Sequence, residues 1–434
     1  MTAPRPPAKQ LAEEKVTPVR QVMDGNTAVA YGARLSRVQV VAAYPITPQS
    51  TIAEVLASFC DEGSLNARYL RVESEHSAMS ATVGASYTGV RAFTATASVG
   101  LALMMEVIGV AAGSRLPIVM AVANRALCSP WSLWCDHSDT MAMRDQGWIQ
   151  MYAENCQEAL DFVPLAYRIA EDPLVQLPAV VAIDGFFLSH MSDTVEIPEQ
   201  EKVDSFLPPR GPGLMRMDPA APVAANVLTG PPFFTEAKYP MAEAMERVPG
   251  VAGRAMAEFG RVFGRQYAQV VAYRCEDADT ALVAMGSVCG TVHHVVDKLR
   301  SQGRKVGLLR LVMFRPFPYD EVRAALVRAK NVIVLDRTPA VGTVGPLQAE
   351  VRTALYGTNP PPEVSGFVAG IGGRDIPEAT VLRAMEEALA AASAIGRAGP
   401  AFVDAPALEN WVDVIRSAPA ATAVAPAVVE VKSR

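Results

Sequence analysis

The chain has 434 residues, half of them apolar and 19% charged, with a formal net charge of −6. That length favours two or three domains, the apolar fraction is enough to fill large cores, and the charge balance leaves no basic stripe for a nucleic acid. A basic run such as RSQGRKVGLLR at 300–310 reads as a helix end leading into a strand.

Residues 1–19 open with the polar, proline-rich MTAPRPPAKQLAEEK, which reads as a flexible arm and lacks the apolar core of a secretory signal. TAVAYGARLSRV (27–38) has helical spacing, with Asn26 as the expected cap. VQVVAAYPI (38–46) reads as a strand, after which Thr47 and Pro48 suit the cap and first position of the helix STIAEVLASF (50–59). RYLRVES (68–74) reads as a strand, EHSAMSATVGASYTG (75–89) as a helix of small residues, and RAFTATAS (91–98) as a strand. The longest greasy run, 99–113, reads as a buried helix; it is too short to span a bilayer and carries Glu106. LPIVMAVANR (116–125) and LPAVVAIDGF (177–186) read as strands flanking the amphipathic helix 155–172.

The proline-rich stretches 196–222 and 228–240 read as a long surface connection, and 241–267 as a linking helix. Beyond it the alternation resumes, with strands at 279–287, 305–318, 331–337 and 363–373 and helices at 288–303, 320–330, 345–357 and 376–393. Residues 416–434 read as an Ala/Pro-rich flexible tail. The alternation predicts an α/β chain with two doubly wound parallel-sheet domains, at 20–240 and 271–415, joined by a linker at 241–270. A soluble, cytoplasmic protein is expected, with no membrane or nucleic-acid partner.

Cys60, Cys128, Cys135, Cys156, Cys275 and Cys289 include no CxxC pair, and His76, His137, His190, His293 and His294 show no zinc spacing. The thiols read as buried side chains, so no metal site is expected and any iron–sulfur centre belongs to another chain.

Ligands of open parallel sheets gather beyond the carboxyl ends of the strands. YPITP (44–48), VESEH (72–76), TATASVG (94–100) and ANRALCSPWSLWCDHSD (123–139) fall at such ends. Thr47 is a helix cap or a hydroxyl for a substrate oxygen, and one role does not preclude the other. Glu75 enters a helix too small and apolar for an exposed surface, so a semi-buried carboxylate is expected; Glu73 is its rival, on the same face of an extended segment. Arg125 ends an apolar strand and needs an anion: a ligand carboxylate gripped by its planar fork, or an internal ion pair with Asp136 or Asp139. DHSD (136–139) reads as a capping turn with a structural His137. No GxxxxGK[ST] or GxGxxG loop is present, nor GDG followed by NN, the diphosphate–metal signature of thiamine enzymes; MDGN (23–26) and IDGF (183–186) do not fit it.

YPITPQS (44–50), RVESEHSAMSATVGAS (71–86), AFTATASVGLALMMEV (92–107), LPIVMAVANRAL (116–127), DHSDTMAMRDQGWIQMY (136–152) and FLPPR (206–210) resemble, in order, the α subunit of 2-oxoacid:ferredoxin oxidoreductases, a family typified by pyruvate:ferredoxin oxidoreductase. The resemblance spans most of 20–415. It implies a thiamine diphosphate pyrimidine-binding domain followed by a transketolase C-terminal-like domain. It implies thiamine diphosphate shared with a β subunit, whose GDG…NN motif holds the diphosphate and Mg2+. A ferredoxin-like subunit would carry [4Fe-4S] clusters, a γ-type subunit would join, and coenzyme A would take the acyl group from an oxidatively decarboxylated 2-oxoacid. By the same resemblance Glu75, not Glu73, holds the aminopyrimidine, Thr47 anchors the substrate and Arg125 binds its carboxylate. Trp131, Trp134 and Cys135, in SPWSLWCDHSD (129–139), are bulkier than the pattern associated with pyruvate. They fit either a larger branched or aryl 2-oxoacid or a contact with a partner subunit. A transketolase-like enzyme is a second reading, opposed by the missing GDG…NN. A non-catalytic scaffold subunit is a third, and it requires Thr47, Glu75 and Arg125 to tolerate change.

Overall fold

Runs of valine, isoleucine and alanine build the strands, and a computed structural model gives their arrangement for residues 19–211, 213–339, 341–398 and 411–413. The expected arm, apart from Val19, and the expected tail lie outside the described residues.

The first part of the chain runs β1 (Val19–Asp24), α1 (Gly25–Leu35), β2 (Val40–Ala43), α2 (Ser50–Asp61), β3 (Arg68–Arg71), α3 (Glu75–Tyr87), β4 (Ala92–Thr96), α4 (Ser98–Leu103), α5 (Met105–Gly113) and β5 (Val119–Asn124). It continues through α6 (Ser138–Ala142), β6 (Ile149–Tyr152), α7 (Cys156–Ala170), β7 (Ala179–Asp184), β8 (Ser192–Ile197), α8 (Gln200–Phe206) and α9 (Pro231–Phe263). The second part comprises β9 (Val270–Tyr273), β10 (Thr280–Met285), α10 (Val288–Ser301), β11 (Val306–Leu311), β12 (Met313–Arg315), α11 (Tyr319–Leu326), β13 (Asn331–Asp336), α12 (Pro346–Leu355), β14 (Glu363–Val368) and α13 (Glu378–Ala398).

A seven-stranded sheet has the order β12-β6-β7-β5-β4-β2-β3, a five-stranded sheet the order β14-β13-β10-β11-β9, and β1 pairs with β8 in a small ribbon. Both large sheets are parallel except at one edge: β12 runs antiparallel to β6, and β9 antiparallel to β11. The α/β architecture matches the expectation, with these antiparallel edges added. Every residue of β4, β5 and β7 is buried, as expected of parallel strands covered on both faces.

One face of the large sheet packs under α1, α2, α7 and α9. On the other face, Met120 and Val122 of β5 share a core with Val283 of β10 and Leu309 of β11. The two sheets are therefore joined through a common hydrophobic layer. α10 and α13 close the far side of the second sheet, around Val292, Val296 and Met385. No helix among the described residues is long and apolar enough to cross a membrane.

Several elements depart from the sequence reading. Asp24, not Asn26, caps α1: its carboxylate accepts from the Thr27 amide at 2.7 Å. Asn26 is buried inside the helix and donates to the Pro48 carbonyl at 2.7 Å. Thr47 is not a helix cap, because Ile46 to Gln49 close a turn and α2 begins only at Ser50. α9 starts at Pro231, inside the stretch read as a surface connection, with prolines in its first turn, where a missing N–H costs nothing. The segment read as one strand over 305–318 divides, and β12 leaves the second sheet to edge the first, with Met313 opposite Met151. β1, β6, β8 and β9 are additional short strands.

Gly32 sets the approach of α1 to α7. A Cβ there would lie 2.5 Å from the Leu160 carbonyl oxygen and 2.9 Å from Val163 Cβ. Both are rigid neighbours, so Gly32→Ala is expected to lower unfolding stability by about 1–3 kcal/mol through overpacking. Denaturant midpoints check this, and a change under about 0.5 kcal/mol would show that the helices separate freely.

Candidate active site

β3, β2, β4 and β5 lie side by side, and their carboxyl ends deliver the segments carrying Glu75, Thr47, Ser98 and Arg125 to one edge. Ser74 is extended, and its hydroxyl oxygen accepts from the Ser77 amide at 3.2 Å, so α3 begins at Glu75. That start separates the two rival carboxylates. Glu73 faces outward and accepts from the Ser77 hydroxyl at 2.5 Å, whereas Glu75 turns inward and is 7% exposed. The expectation that both share a face fails because the segment is not extended past Ser74.

The Glu75 carboxylate packs against the first turn of α4. A Cβ at Gly100 would lie 2.7 Å from Glu75 Oε1 and 2.6 Å from Thr96 Oγ1, so only a glycine leaves this recess open. The Thr96 hydroxyl is buried with no hydrogen-bond partner. The Glu75 carboxylate likewise has no hydrogen bond or ion pair among the described residues. Two polar groups thus meet in one recess: the Thr96 hydroxyl lacks the partner that burial normally demands, and the Glu75 carboxylate faces the same space.

Arg125 and Thr47 are brought together. Arg125 Nη1 donates to the Thr47 carbonyl at 2.8 Å and Nε donates to the Ser132 carbonyl at 3.0 Å. Thr47 itself is exposed. Neither internal ion pair expected for Arg125 forms. Asp136 accepts from the Ser138 amide and hydroxyl and from the Gly372 amide, while Asp139 holds the Arg125 main chain through its amide at 3.0 Å. Burial lowers the guanidinium pKa, and Asp139 and Cys128 oppose that shift. Trp131 is exposed, its ring centroid 5.9 Å from the guanidinium carbon. Trp134 packs against Gly373 and lies 5.6 Å from the Phe186 ring.

DHSD is more than a capping turn. Asp139 accepts from Asn124 Nδ2 and the Thr140 amide, both at 2.7 Å, and from the Ser98 amide at 2.9 Å. Burial pushes its carboxyl up to about 6 against these donors. His137 Nε2 lies 2.8 Å from Asp184 Oδ1 at the end of β7. Asp184 also accepts from Arg337 Nη1 at 2.9 Å, from the Ser287 amide at 3.0 Å and from the Ser287 hydroxyl at 2.5 Å. Burial alone would raise the Asp184 carboxyl, but His137, Arg337 and Ser287 hold it well below the usual carboxylate range. Cys135, His137 and Asp184 place ligand atoms within 4.8 Å of one another. The buried Arg337 guanidinium already sits on Asp184 as its positive partner, and together these contacts join the two sheets.

Asp184, Arg337, Ser287 and Asn124 are site residues that no motif in the sequence marks. The only local signal was a charged residue at the end of a wholly apolar strand, as in VVAID and VIVLDR.

Residues 31–257 match the family described as pyruvate flavodoxin/ferredoxin oxidoreductase, thiamine diP-binding, and residues 278–381 match pyruvate:ferredoxin oxidoreductase core domain II. The chain is 51% identical to pyruvate synthase subunit PorA of Methanothermobacter thermautotrophicus, over 84% of this chain and 94% of that one. It is 46% identical to ketoisovalerate oxidoreductase subunit VorA of Pyrococcus horikoshii, over 82% and 91% respectively. A solved 2-oxoglutarate:ferredoxin oxidoreductase from Magnetococcus marinus is similar in fold, with a TM-score of 0.64 and 22% identity, covering 85% of this chain and 65% of that one.

Removing the Asp184 charge leaves Arg337 buried without its partner, so Asp184→Asn is expected to cost about 3–5 kcal/mol near neutral pH. The folded pKa is depressed, so the contribution of Asp184 is complete above the ordinary value near 3.9 and drains away as pH falls through the folded value. The gap between parent and variant in urea unfolding should therefore narrow on acidification below about pH 4. A gap that is small, or constant with pH, would contradict this account of the junction.

Proposed function

The chain belongs to the 2-oxoacid:ferredoxin oxidoreductase family, as an α subunit, and on that premise we propose that Glu75, Arg125 and Thr47 are its contribution to a shared thiamine-dependent site. The enzyme oxidatively decarboxylates a 2-oxoacid. One observation carries the assignment of the site: the inward-turned Glu75 carboxylate and the buried, unpartnered Thr96 hydroxyl share a recess that Gly100 keeps open. Burying such groups without partners is costly, so a ligand with matching polar atoms fits there.

An aminopyrimidine ring, with ring nitrogens and an exocyclic amine, supplies those atoms, so the residues present fit thiamine diphosphate. When bound, that cofactor supplies the carbon nucleophile and the electron sink. Glu75 holds a proton at the pyrimidine nitrogen and so fixes the ring's orientation and tautomer. The Thr96 hydroxyl is placed to complete the same recess. Arg125, steadied through Nη1 and Nε by two carbonyls, presents its remaining donors to the 2-oxoacid carboxylate. Thr47, exposed beside it, offers its hydroxyl to a substrate oxygen.

The absence of GDG…NN from this sequence supports assigning the diphosphate and Mg2+ to a β subunit. Electrons leave singly to [4Fe-4S] clusters on a ferredoxin-like subunit, a γ-type subunit completes the complex, and coenzyme A accepts the acyl group. The overall change converts 2-oxoacid and coenzyme A into acyl-CoA, CO2, a proton and an electron pair. The matched ranges 31–257 and 278–381 support a pyrimidine-binding unit followed by a transketolase C-terminal-like unit; the expected break at 240 falls inside α9, so the first unit extends into that helix and the linker expected at 241–270 begins within it. A cytoplasmic setting suits its free thiols. Relatives named for pyruvate and ketoisovalerate bracket the proposed acyl chain, and Trp131, beside Arg125, is placed to sense its size.

In the assembled complex, Glu75→Gln should lower 2-oxoacid-dependent viologen reduction by about 100-fold or more. Arg125→Ala should raise the KM for the 2-oxoacid by about 30–100-fold, the loss of a charge-assisted pair. Near-parent kinetics for both variants, with assembly intact, would favour the scaffold reading instead.

A further inference from the structure

We propose that Asp139 is a positioning residue that couples the two halves of the site, its single buried carboxylate fixing both the turn beside Glu75 and the strand end that carries Arg125. The inference rests on the roles proposed above for those two residues.

β4 and β5 are neighbours in register, Thr96 opposite Val122, so their chains leave the sheet side by side. Each then has a main-chain amide to satisfy. Ala97, which precedes α4, has no side chain to cap the helix, and Ser98 takes the left-handed conformation at φ 48°. Asp139 supplies the missing acceptor from a distant part of the chain. Its Oδ2 accepts from the Ser98 amide at 2.9 Å and from the Arg125 amide at 3.0 Å. A second tie joins the same segments, with Ser98 Oγ donating to the Ala126 carbonyl at 2.6 Å.

The two amides lie close to the proposed chemistry on either side. Ser98 is two residues from Gly100, whose missing Cβ makes room for the Glu75 carboxylate. The Arg125 amide belongs to the residue that faces the substrate. A shift of the Asp139 carboxylate therefore moves the cofactor recess and the carboxylate clamp together.

The side chain type is dictated by its partners. Four donors converge on Asp139: two main-chain amides at Oδ2, and Asn124 Nδ2 and the Thr140 amide at Oδ1. Only an acceptor on both oxygens satisfies them all; an asparagine would set its own N–H groups against two of the donors. The anchor is itself held firmly. The Tyr152 hydroxyl donates to Thr140 Oγ1 at 2.8 Å and Gln150 Nε2 donates to the Thr140 carbonyl at 3.0 Å. Asp139 is 2% exposed and Thr140 fully buried, so water cannot replace a lost acceptor.

The test compares Asp139→Asn, Arg125→Ala and Glu75→Gln in the assembled complex. KM is measured for pyruvate and for ketoisovalerate, and the dissociation constant of thiamine diphosphate is measured directly by calorimetry. Arg125→Ala should change KM alone, and Glu75→Gln should weaken thiamine diphosphate with KM little changed. Asp139→Asn should do both, raising each constant about tenfold, with kcat under saturation falling less. A merely structural role would lower the fraction of active sites and leave both constants at parent values, and that result, or a change in one constant only, overturns the coupling. If Arg125→Ala and Glu75→Gln themselves behave as the parent, the site assignment falls rather than the coupling. If Asp139→Asn does not assemble, Asp139→Glu decides. That variant keeps two acceptor oxygens but displaces them by one methylene from the Ser98 and Arg125 amides; a paired rise of about threefold supports the proposal, and parent values for both constants overturn it.

Discussion

The carboxylate of Asp184, at the end of β7, is the contact on which the arrangement of the molecule turns. Its oxygens are shared among His137 from the loop after β5, Arg337 from the end of β13 and Ser287 at the start of α10. A charge this deeply buried is tolerated only when its partners are in place. It therefore gives the second sheet one favoured setting against the first, and it holds the loop that carries Trp131 and Trp134. The hydrophobic layer between the sheets supplies area without direction, and the ionic junction supplies direction.

What was legible in the sequence is what burial writes locally. β4, β5, β7, β10, β11 and β13 are apolar runs, and their periodicity gave the α/β alternation and the edge at which a ligand binds. β6 escaped notice as a short run interrupted by Gln150, β9 because it is only partly buried, and β8 because it is half polar. The start of α9 was hidden because its first ten residues are exposed and therefore carry no apolar stripe. Thr47 satisfied every local rule for a cap, yet the chain turns once more before the helix begins.

The candidate site was readable to a similar depth. Glu75, Arg125 and Thr47 stand at strand ends in the sequence, but the choice of Glu75 over Glu73 needed the family resemblance, because local pattern placed both on one face. The roles of Asp139, offered only as an ion-pair partner or turn residue, and of Asp184 were not readable because their partners are remote: Ser98 lies 41 residues from Asp139, and Arg337 lies 153 residues from Asp184. A buried carboxylate is decided by donors brought from elsewhere, and no window of sequence contains them.

The crossing of β12 has a consequence for how the chain is made. Met313–Arg315 covers the outer edge of β6, at Gln150 and Met151, although the two segments are separated by more than a third of the chain. During synthesis at roughly 5–20 residues per second, that edge emerges from the ribosome on the order of ten to thirty seconds before the strand that seals it. For that interval the nascent sheet exposes an unpaired border next to a wholly apolar centre, the kind of surface that recruits stray strands. The two halves of this polypeptide are therefore poor candidates for separate production, because the earlier half reaches its closed form only when the later half returns a strand to it.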